Sequence, residues 1–148
     1  MEIKIICRKE NYDKYSKLLE KAGFKVVQEA SLVLRETDFI QSFFVGKIDD
    51  RFEIINYEDV VFIESFGRDI FLYTSDSTYQ IKQKLYEIEG EYAEYGFIRI
   101  NKSQIVNKTY ILKIKPLLNS RIKIILKTNQ SLEVTRNYSD NFKDSIGF

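Results

Sequence analysis

The chain has 148 residues, 23 Lys or Arg against 22 Asp or Glu, and no His. Its length suits one ordinary domain, or one small domain with a short extra lobe, and its 44% apolar content can fill a core. The lack of His excludes His-based triads, imidazole bases and His metal sites, and one Cys excludes both a Cys-rich zinc site and an internal disulfide, which fits a reducing cytoplasm.

The first fifty residues read as strand, helix, strand and a short tail. Residues 2–7 are apolar and strand-like; the start is short and broken by charge, unlike a signal peptide. Asn11 is placed to cap a helix in which Tyr12, Tyr15, Leu19 and Ala22 recur at spacings of three and four, and Gly23 ends it. Residues 24–29 and 32–35 return as strands. This βαβ-like lobe, residues 1–50, is too small for an independent Rossmann unit and is expected to pack on the larger half.

From Phe52 onward the pattern is mainly β. Residues 52–55 and 60–64 form short strands around the turn at Asn56 to Asp59, and Phe66-Gly67-Arg68-Asp69 turns into a strand over 70–74. Residues 78–81 add another strand. Ile81, Leu85, Ile88, Tyr92 and Tyr95 then form an apolar stripe that predicts the clearest helix, with Glu87, Glu91 and Glu94 on its solvated side. Gly96 stops it and residues 97–100 form a strand. Leu112 and Ile114 alternate with Lys113 and Lys115, as do Ile122, Ile124 and Leu126 with Arg121, Lys123 and Lys127. The chain turns at Thr128 to Ser131 and pairs back through 132–134. Asn137 is placed to cap a last helix with Tyr138, Phe142 and Ile146 inward.

Residues 97–136 hold nine Lys or Arg and one acid, Glu133, in a chain whose net charge is +1. Each of these cations, taken singly, reads as the solvated face of a half-buried strand. As a cluster they form a surface suited to phosphate, with salt-sensitive affinity from counterion release. Base specificity needs side chains at loop tips. In Asn101-Lys102-Ser103, Lys102 can donate to guanine, Asn101 can pair with adenine, and Ser103 is placed to cap a short phosphate-binding helix. Arg136, beside Asn137, can fork onto guanine, and Gly67-Arg68-Asp69 is an exposed hairpin tip. Asn101 and Asn107 equally read as turn formers, and Asn137 as a helix cap. No Gly-rich phosphate cradle and no catalytic, metal-binding or cofactor-binding constellation can be argued from the spacing.

At these residues the chain resembles the LytTR DNA-binding domain of bacterial transcription regulators. The resemblance runs from about Asn56 to Phe148, through residues 59–68, 84–89, 97–107 and 134–138. It implies an α+β, mainly β fold of short antiparallel sheets with two or three flanking helices, over residues 51–148. It implies docking along one side of a duplex, with loops inserted into successive major grooves, and two copies on direct repeats. Base contacts are then expected from Arg68 and Ile70, from Lys102 and from Arg136. Phosphate contacts are expected from Arg99, Asn101, Ser103, Asn107, Arg121 and Asn137, with support of loop shape the other role expected of Arg99, Ser103 and Asn107. Two departures stand out. Asn129-Gln130 replaces the usual Asn-Gly in the last hairpin, and apolar Ile70 sits where some members carry a polar reader. The first fifty residues are too few for a phosphate-accepting receiver, so the resemblance implies a stand-alone regulator, a type often restrained by a membrane-bound inhibitor protein.

Two other readings follow from the residues. Tyr and Phe beside basic side chains suit a module that stacks single-stranded RNA, although the RRM signature is missing. A protein-interaction or small-ligand sensor centred on residues 1–50 is the other.

Overall fold

A computed structural model describes residues 1–36 and 42–148. The chain forms two compact units, Met1–Gln41 and Ser42–Phe148.

In the first unit, β1 (Glu2–Ile6) lies between β2 (Lys25–Val26) and β3 (Val33–Arg35) and runs parallel to both. The helix α1 (Tyr12–Lys21) connects β1 to β2, which completes a βαβ crossover. Ile3 and Ile5 are buried, as strand alternation requires. Asn11 stands at the start of α1 but makes no side-chain cap. Its amide instead donates to Glu36 Oε1 at 2.7 Å, and Arg8 binds the same carboxylate through its backbone N–H and its guanidinium, both at 2.8 Å. These donors, the Arg8 N–H first, hold the Glu36 carboxyl below its ordinary range.

The second unit begins earlier than residue 51, where the sequence pattern alone divides the chain. Residues 43–48, expected from the sequence to be part of a tail, form the strand β4 (Phe43–Ile48), paired along its length with β5 (Arg51–Asn56). Gly46 permits this: a Cβ there would lie 2.6 Å from Ile55 Cδ1 and 2.7 Å from Tyr79 Cβ. Next come β6 (Phe62–Phe66), β7 (Asp69–Tyr73), β8 (Thr78–Ile81), β9 (Phe97–Asn101) and β10 (Gln104–Asn107). They make a seven-stranded antiparallel sheet in the order β5-β4-β8-β7-β6-β10-β9. A second antiparallel sheet holds β11 (Ile111–Pro116), β12 (Ile122–Leu126) and β13 (Ser131–Val134).

Two helices complete the unit, α2 (Leu85–Glu91) and α3 (Arg136–Ile146). The apolar stripe predicted as one helix is divided: Ile81 ends β8 and Tyr95 lies in a 3-10 turn, while Leu85 and Ile88 belong to α2. Period two explains why the large sheet buries both faces. Phe62, Val106, Ile98 and Ile100 join Ile122, Ile124, Leu126, Val134 and Phe142 in a core against the smaller sheet and α3. Residues out of phase with these, such as Ile63 and Ile105, are buried on the opposite side, and α2 packs on β6, β9 and β10. Phe44, Tyr92 and Phe97 form an aromatic cluster, with Phe44 and Tyr92 stacked at 4.7 Å. Among the described residues no two α-helices follow one another directly, and no helix is long and apolar enough to cross a membrane.

Candidate nucleic-acid interface

Backbone hydrogen bonds gather three loops. The two-residue loop Gly67-Arg68 closes the β6–β7 hairpin, with Gly67 at φ +63° and Phe66 paired to Asp69. Ser65 N–H, just before it, donates to Ser103 C=O at 2.8 Å, which ties this hairpin to the turn between β9 and β10. Thr135 N–H donates to Ile100 C=O at 2.9 Å, which brings the start of α3 to the same turn. Residues 101–103 and 135–138 line one open cleft of about 440 Å³. Lys102 and Arg136 are both exposed on it, and Arg68 is exposed at the neighbouring hairpin tip.

The turn that carries Lys102 is held by its neighbours. A bulge skips one residue of β9: Arg99 pairs with Ile105 and Asn101 with Gln104, leaving Ile100 between them. The extra residue re-aims Asn101 toward the side of the sheet that faces β13. There its amide donates to Gln104 Oε1 at 2.8 Å and to Glu133 C=O at 3.0 Å. Its oxygen accepts from Ser103 N–H at 2.9 Å and from Ser103 Oγ at 3.1 Å. Gln104 in turn donates to Glu64 Oε1 at 3.1 Å, whose other oxygen accepts from Tyr73 Oη at 3.2 Å. Burial, then the Glu64 charge, raise the Tyr73 phenol above its ordinary range. Arg99 closes the set: it donates to Asn101 C=O at 3.2 Å and to Lys102 C=O at 2.5 Å, and pairs with Glu89 at 2.9 Å.

Several sequence expectations change here. Ile70 is 6% exposed and belongs to the core, so its side chain is turned away from any base. Asn107 is 2% exposed; its amide donates to Val60 C=O and accepts from Thr109 N–H and Thr109 Oγ1, so of its two expected roles it takes that of turn former, in the 3-10 turn Lys108–Tyr110, and its burial leaves it no surface for phosphate. Ser103 starts no helix, because Gln104–Asn107 is a strand. Asn101 and Arg99 act on the shape of the turn. Asn137 is exposed inside the first turn of α3, whose cap position is Thr135. Arg121 is half exposed and paired with Glu133 at 2.9 Å. Lys113, Lys115, Lys123 and Lys127 are exposed, and Lys115 stands directly opposite Lys123.

In the last hairpin, where Asn129-Gln130 replaces Asn-Gly, Asn129 takes the positive φ (+74°) and Gln130 does not. Leu126 C=O accepts from Asn129 N–H and Leu126 N–H donates to Gln130 C=O, both at 2.9 Å, the pattern of a type I turn followed by a left-handed residue. Sequence reasoning misses Phe66, which is 77% exposed beside Arg68. Its hydrophobic side chain one step before a Gly turn is the available signal.

Comparison with known proteins agrees with this geometry. The sequence profile of the LytTr DNA-binding domain matches residues 50–147. HTH-type transcriptional regulators of Staphylococcus aureus are similar over 102 residues, at 35% identity in strain NCTC 8325 and 34% in strain MRSA252, covering 69% of this chain and 69% of each relative. A solved LytTr DNA-binding domain from Bacillus cereus superposes with a TM-score of 0.70 at 24% identity, over 73% of this chain and 99% of that one. The chain belongs to the LytTr DNA-binding domain family.

Proposed function

We propose that this protein is a cytoplasmic, sequence-specific transcription regulator whose second unit lies along duplex DNA and inserts loops into successive major grooves, two copies occupying a direct repeat. The observation that carries this reading is the cleft at which Lys102 and Arg136 stand exposed while the side chains between them hold the loop. A lysine and an arginine at loop tips can each donate to guanine O6 and N7, and Arg136 can do so with two parallel bonds. Arg68 contributes from the first loop in chain order, the Gly67-Arg68 hairpin tip, and the exposed lysines of β11 and β12 contribute phosphate attraction. The staphylococcal relatives, described as transcriptional regulators, support extending DNA binding to regulation. The chemistry required is binding, with no catalytic step.

Selection from random duplex DNA with the full chain tests this directly. The expected result is an enriched direct-repeat motif, and Lys102→Ala or Arg136→Ala losing about 1–3 kcal/mol on it while scrambled DNA changes little. No enriched motif, or equal losses on cognate and scrambled duplexes, overturns the reading.

A further inference from the structure

An exposed phenylalanine at a hairpin tip has no role in the packing below it. Phe66 is 77% exposed, and the turn that follows is closed by Gly67 at φ +63° and by the Phe66–Asp69 pair, which need no apolar side chain. Alternation along β6 places Phe66 on the same face as Phe62 and Glu64. Phe62 is in the core shared with the smaller sheet, and Glu64 accepts from Gln104, which holds Asn101. Phe66 therefore projects on the side of the sheet where the Lys102 turn is built, and Ser65 fixes the spacing through Ser103 C=O at 2.8 Å. Arg68, two residues on, supplies the charge that brings the tip to a phosphate-rich surface.

Beside a major groove, the apolar group such a side chain can meet is the thymine 5-methyl. We infer that Phe66 is a specificity-determining residue that packs against a thymine methyl next to the bases read by Lys102, so that the first loop reads through Phe66 and not through Ile70. This rests on the groove-docking reading proposed above. An aromatic ring covering a methyl excludes water from it, and the gain is confined to positions where that methyl is present.

Replacing single thymines by uracil in the selected duplex removes the methyl and leaves the base pair intact. The wild-type chain is expected to lose about four-fold in affinity at one position, the size of one buried methyl group. Phe66→Ala is expected to bind the thymine and uracil duplexes equally, and Phe66→Leu to keep part of the preference. Because the side chain is exposed, both variants are expected to unfold at the wild-type denaturant midpoint. If the wild type prefers its motif but responds to no thymine replacement, or if Phe66→Ala keeps the full preference, the assignment of Phe66 is wrong and the docking reading stands. If the wild type shows no motif preference, both fail.

Discussion

Around Lys102 the polar side chains hold one another; along β11 and β12 they do not. Asn101 makes four hydrogen bonds, Gln104 and Glu64 continue the chain to Tyr73, and Arg99 binds two backbone carbonyls of the turn. Lys113, Lys115, Lys123 and Lys127 stand exposed on neighbouring strands, and among the described residues none makes an ion pair. Both regions are basic in sequence. All of these lysines have the same flexible stem; the difference lies beneath it, where side chains brace the Lys102 turn and, among the described residues, no such bracing holds the strand lysines. A donor carried by a braced turn can discriminate between bases, because misplacement leaves it unpaired. An ammonium spread along a strand follows the phosphate chain whatever the bases are.

Removing the strand charges should separate the two behaviours most strongly. The triple variant of Lys113, Lys115 and Lys123 to Gln is expected to weaken cognate and scrambled duplexes alike. The slope of log affinity against log salt should become shallower by about 0.9 for each phosphate that is no longer neutralised. The cognate-to-scrambled ratio should hold. Lys123 faces Lys115 on one side and Glu133 on the other, so relieved repulsion and lost attraction offset one another and stability should stay within about 1 kcal/mol of the wild type. Equilibrium unfolding and salt titration read these two effects independently. A fall in the ratio would mean that the strand lysines also carry base information.

Asn101→Ala attacks the braced region. It leaves Ser103 N–H and Glu133 C=O without their partner in a part-buried site, a cost of about 1–3 kcal/mol to the fold. Lys102 keeps its charge, so the salt slope should stay near the wild-type value while preference for the cognate motif drops. Unchanged preference would show that Lys102 needs no brace, and the contrast between the two regions would collapse.

The contrast is only half visible in the sequence. Alternation over 97–100 and 122–126 locates the strands, and loop chemistry locates Lys102, Arg136 and the Gly67-Arg68 tip. The roles of Asn101 and Asn107 depend on pairings across 32 and 47 residues, Asn101 with Glu133 and Asn107 with Val60. Local spacing carries no record of those. The bulge that turns Asn101 toward Glu133 is set by tertiary register, and it also defeats a prediction from strict alternation. The strand β4 escapes a local reading because Gly46 and Lys47 interrupt an apolar run whose partner, β5, lies beyond the turn at Asp49-Asp50. The stripe from Ile81 to Tyr95 is real as burial and misleading as a helix, since a strand end and a 3-10 turn happen to continue its phase.

The smallest effect tests whether the β12–β13 turn matters to either behaviour. Asn129 sits at φ +74°, where an L-residue with a Cβ is strained and Asn is among the more tolerant. Asn129→Ala should lower stability by about 1 kcal/mol, and Asn129→Gly should restore it, because glycine adopts this conformation without the Cβ clash. Leu126 and Gln130 fix the hairpin through backbone groups that neither substitution removes, so the register of β12 on β11 should survive. The lysines then keep their positions, and the salt slope and the cognate-to-scrambled ratio should match the wild type in both variants. A steeper or shallower slope in Asn129→Ala would mean that the turn sets where the strand charges lie, and the lysines would then belong with Lys102 as placed rather than loose cations.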